Sequence, residues 1–273
     1  SDLFLCNLNT DYIGGKMMVL RAAELGAELL AVDPSRNPFE QLQGHSYQLL
    51  QNRGHNFLSF VPLQLQDLLE NPAHVALLQT AKAILAGGAA ISPGLRAKIK
   101  EHHLPVYETY GMTETISHIA VKDLRTEDDH FTTLPGVNLE VDEDRCLRIS
   151  ALSTASEWIQ TQDVVELLSP TQFRLLGRRG NIINSGGVKI QLEEVEKIIS
   201  ARLPANLNFF CYGLPDTELG QKLVLVVEGA PFEINLEDLT FPKYHKPKGI
   251  LFYPNFARTA SGKIDKSKTI THD

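Results

Sequence analysis

Five consecutive residues, Tyr110-Gly111-Met112-Thr113-Glu114, gather an aromatic ring, a hydroxyl and a carboxylate around one glycine. Just after a strand, such a turn can bring backbone amides, a hydroxyl and a carboxylate to a ligand, although the same composition also serves as a plain structural turn. Upstream, the small side chains of Gly87-Gly88-Ala89-Ala90 would let backbone approach a flat purine or an acyl group closely, or would simply turn a strand into a helix. Downstream stand Asp163, Arg178 in Gly177-Arg178-Arg179-Gly180-Asn181, the pair Gly186-Gly187, and Lys263 in Arg258-Thr259-Ala260-Ser261-Gly262-Lys263-Ile264-Asp265. Taken singly, these are ordinary turn residues and a solvated lysine.

The elements around them alternate. Leu3 to Leu8 is strand-like, and Lys16 to Val32 predicts an amphipathic helix, with Met18, Ala22, Leu25 and Leu29 on one face and Arg21, Glu24 and Glu28 on others. Phe57 to Val61 predicts a buried strand. Pro62 suits a helix start, and Ala83 to Leu85 returns to strand. Ser92-Pro93 resembles an N-cap and first helical position, and Val106 to Glu108 is the next short strand. This alternation predicts an α/β layer with parallel pairing. From Leu134 to Leu176 short β-rich runs predict a smaller β subdomain. A new unit is expected from residue 177: strand Ile182-Ile183, a Gly-Gly turn, a helix over Leu192 to Leu203, strands at Phe209 to Tyr212 and Leu223 to Val227, then a Lys- and Pro-rich tail from Pro242 to Lys268. The expected domains are therefore 1–176 and 177–273.

In this order the motifs resemble the adenylate-forming superfamily of acyl-CoA ligases, luciferases and peptide-synthetase adenylation domains. The resemblance implies a partial large adenylation domain, an α/β layer plus the β-rich subdomain, followed by a small α+β C-terminal lid. It also implies ATP, Mg2+ and coenzyme A as the small molecules handled. On this reading Tyr110 stacks on adenine, Thr113 contacts phosphate, and Glu114 helps hold magnesium, a hard cation that takes carboxylate and phosphate oxygens. Gly87, Gly88, Ala89 and Gly111 line the nucleotide site. Asp163, which ends a segment resembling the family's TGD with Gln162 in place of glycine, and Arg178 bind the ribose hydroxyls. Gly177-Arg178 opens the family's Gly-Arg-x-Asp hinge, near 178–181, but Gly180 stands where the hinge aspartate is usual. Gly186 and Gly187 belong to the lid loop that approaches the pantetheine tunnel. Lys263 contacts the carboxylate and α-phosphate during adenylation and stabilises developing charge.

Within the superfamily the resemblance is nearest to the o-succinylbenzoate:CoA ligases of menaquinone synthesis. It is carried by Asp11 to Met18, Val61 to Leu65, Ala83 to Ala90 and Phe131 to Val137. A substrate with two carboxylates and an aromatic ring needs apolar walls and a cationic or hydrogen-bonding group, for which Tyr12, Lys16, Ser117 and His118 are candidates. Another aryl- or acyl-CoA ligase, or a non-catalytic binding protein that keeps the fold, is the alternative.

Composition narrows the partners. With 26 Lys and Arg against 33 Asp and Glu the formal charge is -7, which speaks against a broad nucleic-acid surface. Three cysteines without CxxC spacing indicate neither a disulfide framework nor a zinc site and fit a reducing cytoplasm. No apolar run approaches the roughly 20 residues that span a bilayer, so no membrane partner is expected. The superfamily's Ser/Thr/Gly-rich phosphate loop is absent from the sequence, which starts at Ser1 without Met. This predicts a truncated form with weak or no adenylation of its own, since each charge-assisted phosphate contact contributes about 1.5–3 kcal/mol.

Overall fold

Leu3–Cys6 is buried at every position and forms β1, the first strand of the computed structural model, which describes residues 2–53, 56–204, 207–259 and 263–270. Continuous burial marks an interior strand of a sheet covered on both faces. Leu3 and Leu5 face one core with Leu58, Phe60 and Ile84, whereas Phe4 and Cys6 face Met18 and Ala22 of α1 (Ile13–Glu24). β2 (Glu28–Ala31) follows, then α2 (His45–Arg53), β3 (Asn56–Phe60), α3 (Pro62–Leu68), α4 (Pro72–Gln79), β4 (Ala81–Ala86), α5 (Pro93–Glu101) and β5 (Val106–Met112). Ser92 caps α5 by accepting a hydrogen bond from the Leu95 amide at 3.2 Å, as its sequence signature predicts.

The five strands lie in the order β2-β1-β3-β4-β5 and pair in parallel. Sheets wound in this order bind ligands outside the carboxyl ends of their strands, at the switch point between the first and third. The Gly87–Ala90 loop leaves the carboxyl end of β4, and Thr113-Glu114 follows that of β5.

β6 (Ser117–Asp123) and β7 (Phe131–Thr133) extend the sheet by antiparallel pairing. β8 (Asn138–Val141), β9 (Cys146–Ser150), β10 (Ile159–Ser169) and β11 (Gln172–Arg178) follow along the chain. These strands make up the expected β-rich part, which continues the same eleven-stranded sheet, entered through β11 beside β7.

Two compact units result. One holds Ser1–Glu140, Arg148–Gln160 and Leu167–Arg174; the other holds Val141–Leu147, Thr161–Glu166 and Leu175–Asp273. In the second, β12 (Ile182–Ser185) and β13 (Val188–Gln191) form a hairpin, followed by α6 (Leu192–Ser200), β14 (Phe209–Asp216), β15 (Gly220–Glu228), β16 (Ile250–Tyr253) and α7 (Lys266–Ile270). Along β15, Leu223, Leu225 and Val227 join Val195 and Ile199 of α6, while Val224 and Val226 join Phe210 and Phe256. The alternation explains why Leu223 to Val227 reads as an unbroken apolar run: both faces of the strand are covered.

Three expectations are corrected. The helix expected to reach Val32 ends at Glu24, because Gly26 adopts φ +59° and closes the end. The Gly26 amide reaches the Ala23 carbonyl at 3.2 Å and the Ala27 amide reaches that of Ala22 at 2.9 Å, the paired bonds of a Schellman motif. Leu29 fell in helical register by coincidence and lies on β2. Second, β5 runs on through Met112, so Tyr110-Gly111-Met112 is strand, and only Thr113–Thr115 forms the turn, a short 3-10 helix. Third, the Lys- and Pro-rich tail contains β16, paired in parallel with β15, and the start of α7.

Candidate active site

The turn after β5 is held from inside. Thr115 is buried, and its hydroxyl oxygen accepts the Met112 amide at 3.0 Å and donates to the Ser117 carbonyl at 2.7 Å. Ile116 and Ser117 carry φ of 58° and 135°, a left-handed turn that costs non-glycine residues on the order of 1–3 kcal/mol each. Gly111 faces Met112's partner strand so closely that a Cβ there would run into the backbone of Ser117 and His118; no larger residue fits. The result presents Thr113 and Glu114 to solvent. Among the described residues Glu114 has no ion-pair or hydrogen-bond partner, so its oxygens are available to a hard cation. Sequence reading passed over Thr115, whose role is set by the turn rather than by its chemistry.

Tyr110 is 7% exposed and packs edge-on against Phe173 at 5.1 Å and tilted against Phe131 at 5.7 Å, leaving only a margin of the ring open. The ammonium of Lys122 lies over Phe131 at 4.8 Å and pairs with Glu108 at 2.7 Å, their side chains 11% and 13% exposed. Glu108 also accepts a long bond, 3.5 Å, from the amide of Ile91, just after the Gly87–Ala90 loop. At the loop's start, Gly87 lies directly against the Thr109 hydroxyl, while Gly88 adopts φ +85° and Gly88, Ala89 and Ala90 are exposed. The Glu108–Lys122 pair was not singled out from sequence, where each reads as one strand charge among many.

A third group joins α1 to β6. Tyr12, at the N-cap, is 55% exposed, and Lys16 is exposed on the first turn. Ser117 and His118, which pair with Met112 and Gly111 across the hairpin, are both bonded by Arg21: its Nη2 lies 3.1 Å from Ser117 Oγ and 3.3 Å from His118 Nδ1. Arg21, expected only to lie off the apolar face of the helix, is therefore the missed partner of Ser117 and His118. Burial lowers the Arg21 pKa. Among the described residues no carboxylate pairs with it. Burial, reinforced by the Arg21 charge, pushes the His118 pKa down from 6.5 to about 4, so the ring is neutral at pH 7.

This has a consequence for stability. Below pH 6.5 the unfolded chain binds a proton that the folded His118 refuses until about pH 4. Stability from this group is therefore full above 6.5 and falls, on the order of 3 kcal/mol, as pH drops towards 4. Denaturant unfolding of His118→Gln across that window is expected to show a shallower pH slope than the parent; parallel slopes would contradict the assignment.

In the second unit the two expected ribose contacts meet. Arg178 Nε donates to Asp163 Oδ1 at 2.6 Å, with the Asp163 side chain 9% and the Arg178 side chain 63% exposed. Gly180 has open space around the position of a Cβ. Gly186 and Gly187, at φ +60° and +84°, form the two-residue turn between β12 and β13. Lys263 is exposed, without a side-chain partner among the described residues. The Thr259 amide donates to the Lys263 carbonyl at 2.8 Å, and Arg258 forms a β-bridge with Ile264. Glu228 accepts the Phe256 amide at 2.5 Å and the Arg258 guanidinium at 3.0 Å. Ala260, Ser261 and Gly262 of this signature lie outside the described residues.

Among the described residues no group of three or more His, Cys, Asp or Glu could hold a metal ion, and no helix is long and apolar enough to cross a membrane. A single exposed carboxylate such as Glu114 fits a cation that takes most of its oxygens from a phosphate ligand.

A family described as AMP-binding enzyme matches residues 1–146. A 2-succinylbenzoate--CoA ligase of Escherichia coli is 30% identical over 241 residues, covering 83% of this chain and 50% of that protein. Among solved structures, an acyl-CoA synthetase (AMP-forming)/AMP-acid ligase II-like protein from Dyadobacter fermentans is 39% identical with a TM-score of 0.61, over 99% of this chain and 78% of that one. The fold is also that of o-succinylbenzoate coenzyme A synthetase from Bacillus subtilis, with a TM-score of 0.79 and 20% identity over 98% of this chain and 61% of that one. The chain spans 50% to 61% of the length of the curated relatives it matches first.

Proposed function

The chain belongs to the AMP-binding enzyme family, and on that premise we propose that its protein is an ATP-dependent acid:CoA ligase. It activates o-succinylbenzoate through an acyl-AMP and passes the acyl group to coenzyme A, as in menaquinone synthesis. The observation that carries the acid substrate is Arg21. A guanidinium held at the start of β6, next to the Thr113–Thr115 turn, by a hydroxyl and a neutral imidazole, with no carboxylate partner among the described residues, is suited to bind one from a ligand in bidentate fashion. Tyr12 and Lys16, exposed at the start of α1, are assigned to the acid's site on the resemblance alone.

In this reading the substrate carboxylate attacks the α-phosphate of ATP and pyrophosphate leaves. Thr113 contacts phosphate, and Glu114 holds magnesium, which neutralises phosphate charge when bound. Tyr110, Gly111 and the Gly87-Gly88-Ala89 loop line the base. Asp163 and Arg178 take the ribose hydroxyls. Lys263 meets the developing charge, and the thiol of coenzyme A, guided by the Gly186-Gly187 turn, then attacks the acyl carbonyl and displaces AMP. We assign residues 177–273 as the lid, with its hinge near 178–181. The cytoplasm is the proposed compartment, in keeping with three free, buried cysteines.

Acid-dependent pyrophosphate release by the full-length protein tests the substrate. o-Succinylbenzoate is expected to support it far better than benzoate, which lacks the second carboxylate. Equal rates with both acids would point to another aryl-CoA ligase, and undetectable ATP binding would leave a non-catalytic binding protein.

A further inference from the structure

Arg178 is fixed by more than its salt bridge to Asp163. Its backbone amide donates to Glu193 Oε1 at 3.3 Å, and its carbonyl accepts from Gln191 Nε2 at 3.2 Å. Glu193 closes the arrangement, accepting Asn181 Nδ2 on Oε1 and Gln191 Nε2 on Oε2, each at 2.5 Å. Both polar groups of the Arg178 backbone thus end on this cluster, and Gly177 lies against the ends of the Gln191 and Glu193 side chains at φ +155°, where an added Cβ would collide with them.

An acidic residue in the first turn of α6 has a simpler use, complementing the helix dipole. Glu194 fills that use. It is also in the first turn, exposed, and without a side-chain partner among the described residues. Glu193 is spent differently, on the segment before the helix. No aspartate stands at position 180 to hold that segment, and the carboxylate that reaches it comes from α6 instead.

We propose that Glu193 is a positioning residue for Arg178: through the Arg178 amide, Asn181 and Gln191 it holds the guanidinium where it and Asp163 grip the ribose hydroxyls of a bound nucleotide. The inference rests on the nucleotide reading given above. Its consequence is specific, because loss of Glu193 weakens only what Arg178 does.

Calorimetry with AMP and 2′,3′-dideoxy-AMP on the full-length protein separates the cases. The parent is expected to prefer AMP. Glu193→Ala is expected to bind AMP about tenfold more weakly with dideoxy-AMP unchanged, Glu193→Gln, which keeps one acceptor oxygen, to fall between, and Glu194→Ala to match the parent. Equal loss for both nucleotides would make Glu193 merely structural and overturn the proposal, as would unchanged AMP affinity. Should Glu193→Ala fail to fold, the Glu193→Gln ratio decides in the same way. A parent without ribose preference would overturn the nucleotide reading itself, and this inference with it.

Discussion

Lys263→Ala is expected to slow acyl-AMP formation by about 10²–10³-fold while leaving thioester formation from supplied acyl-AMP within about threefold of the parent. The split follows from where charge develops. Attack of a carboxylate on the α-phosphate brings two anionic groups together, and an ammonium between them acts mainly in that transition state. Lys263 is free to do so: it is exposed and without a side-chain partner among the described residues. Attack of the thiol on the acyl carbonyl also develops an oxyanion and releases AMP, but it does not drive a carboxylate onto the α-phosphate, so this contact matters less there. Rapid-quench measurement of each half-reaction distinguishes the cases. Equal losses in both would make Lys263 a general electrostatic or structural residue.

Arg21→Ala carries the second large effect, a rise of about 10–10²-fold in KM for the acid, the size expected from one charge-assisted contact. Arg21→Lys is expected to recover part of it, since a point charge lacks the planar fork that meets a carboxylate at two oxygens. The substitution also leaves a signature independent of turnover. Burial is the larger cause of the low His118 pKa and the Arg21 charge the smaller, so His118 is expected to titrate higher in Arg21→Ala yet still below 6.5. Imidazole NMR reads that shift directly. An unchanged His118 titration would show that the guanidinium does not sit beside the ring.

Much of the scaffold was legible because burial on two faces leaves a strong pattern. Leu3 to Leu8 and Leu223 to Val227 could be read as strands from their apolar runs, and Ser92-Pro93 announced α5 by its cap. The end of α1 was not legible, since Leu25 and Leu29 continued the helical spacing and outweighed a single glycine whose φ is set by the fold. β16 hid among lysines and prolines because a four-residue strand beside β15 needs little sequence to define it.

The candidate site divides in the same way. Asp163 and Arg178 could be paired from their motifs, and the structure joins them. Arg21 could not, because its partners Ser117 and His118 lie 96 and 97 residues away and its contact arises only when α1 packs beside β6. Glu193 and Glu194 are equivalent in sequence, and only the path of the chain before α6 sets them apart.

Mass spectrometry of the full-length protein incubated with ATP, Mg2+ and o-succinylbenzoate, with coenzyme A omitted, tests the central claim most directly. The predicted result is an o-succinylbenzoyl-AMP species bound to the protein, released as the CoA thioester once coenzyme A is added. Conversion of the acid to its thioester with ADP and phosphate as products, and with no acyl-AMP at any time, would contradict the account.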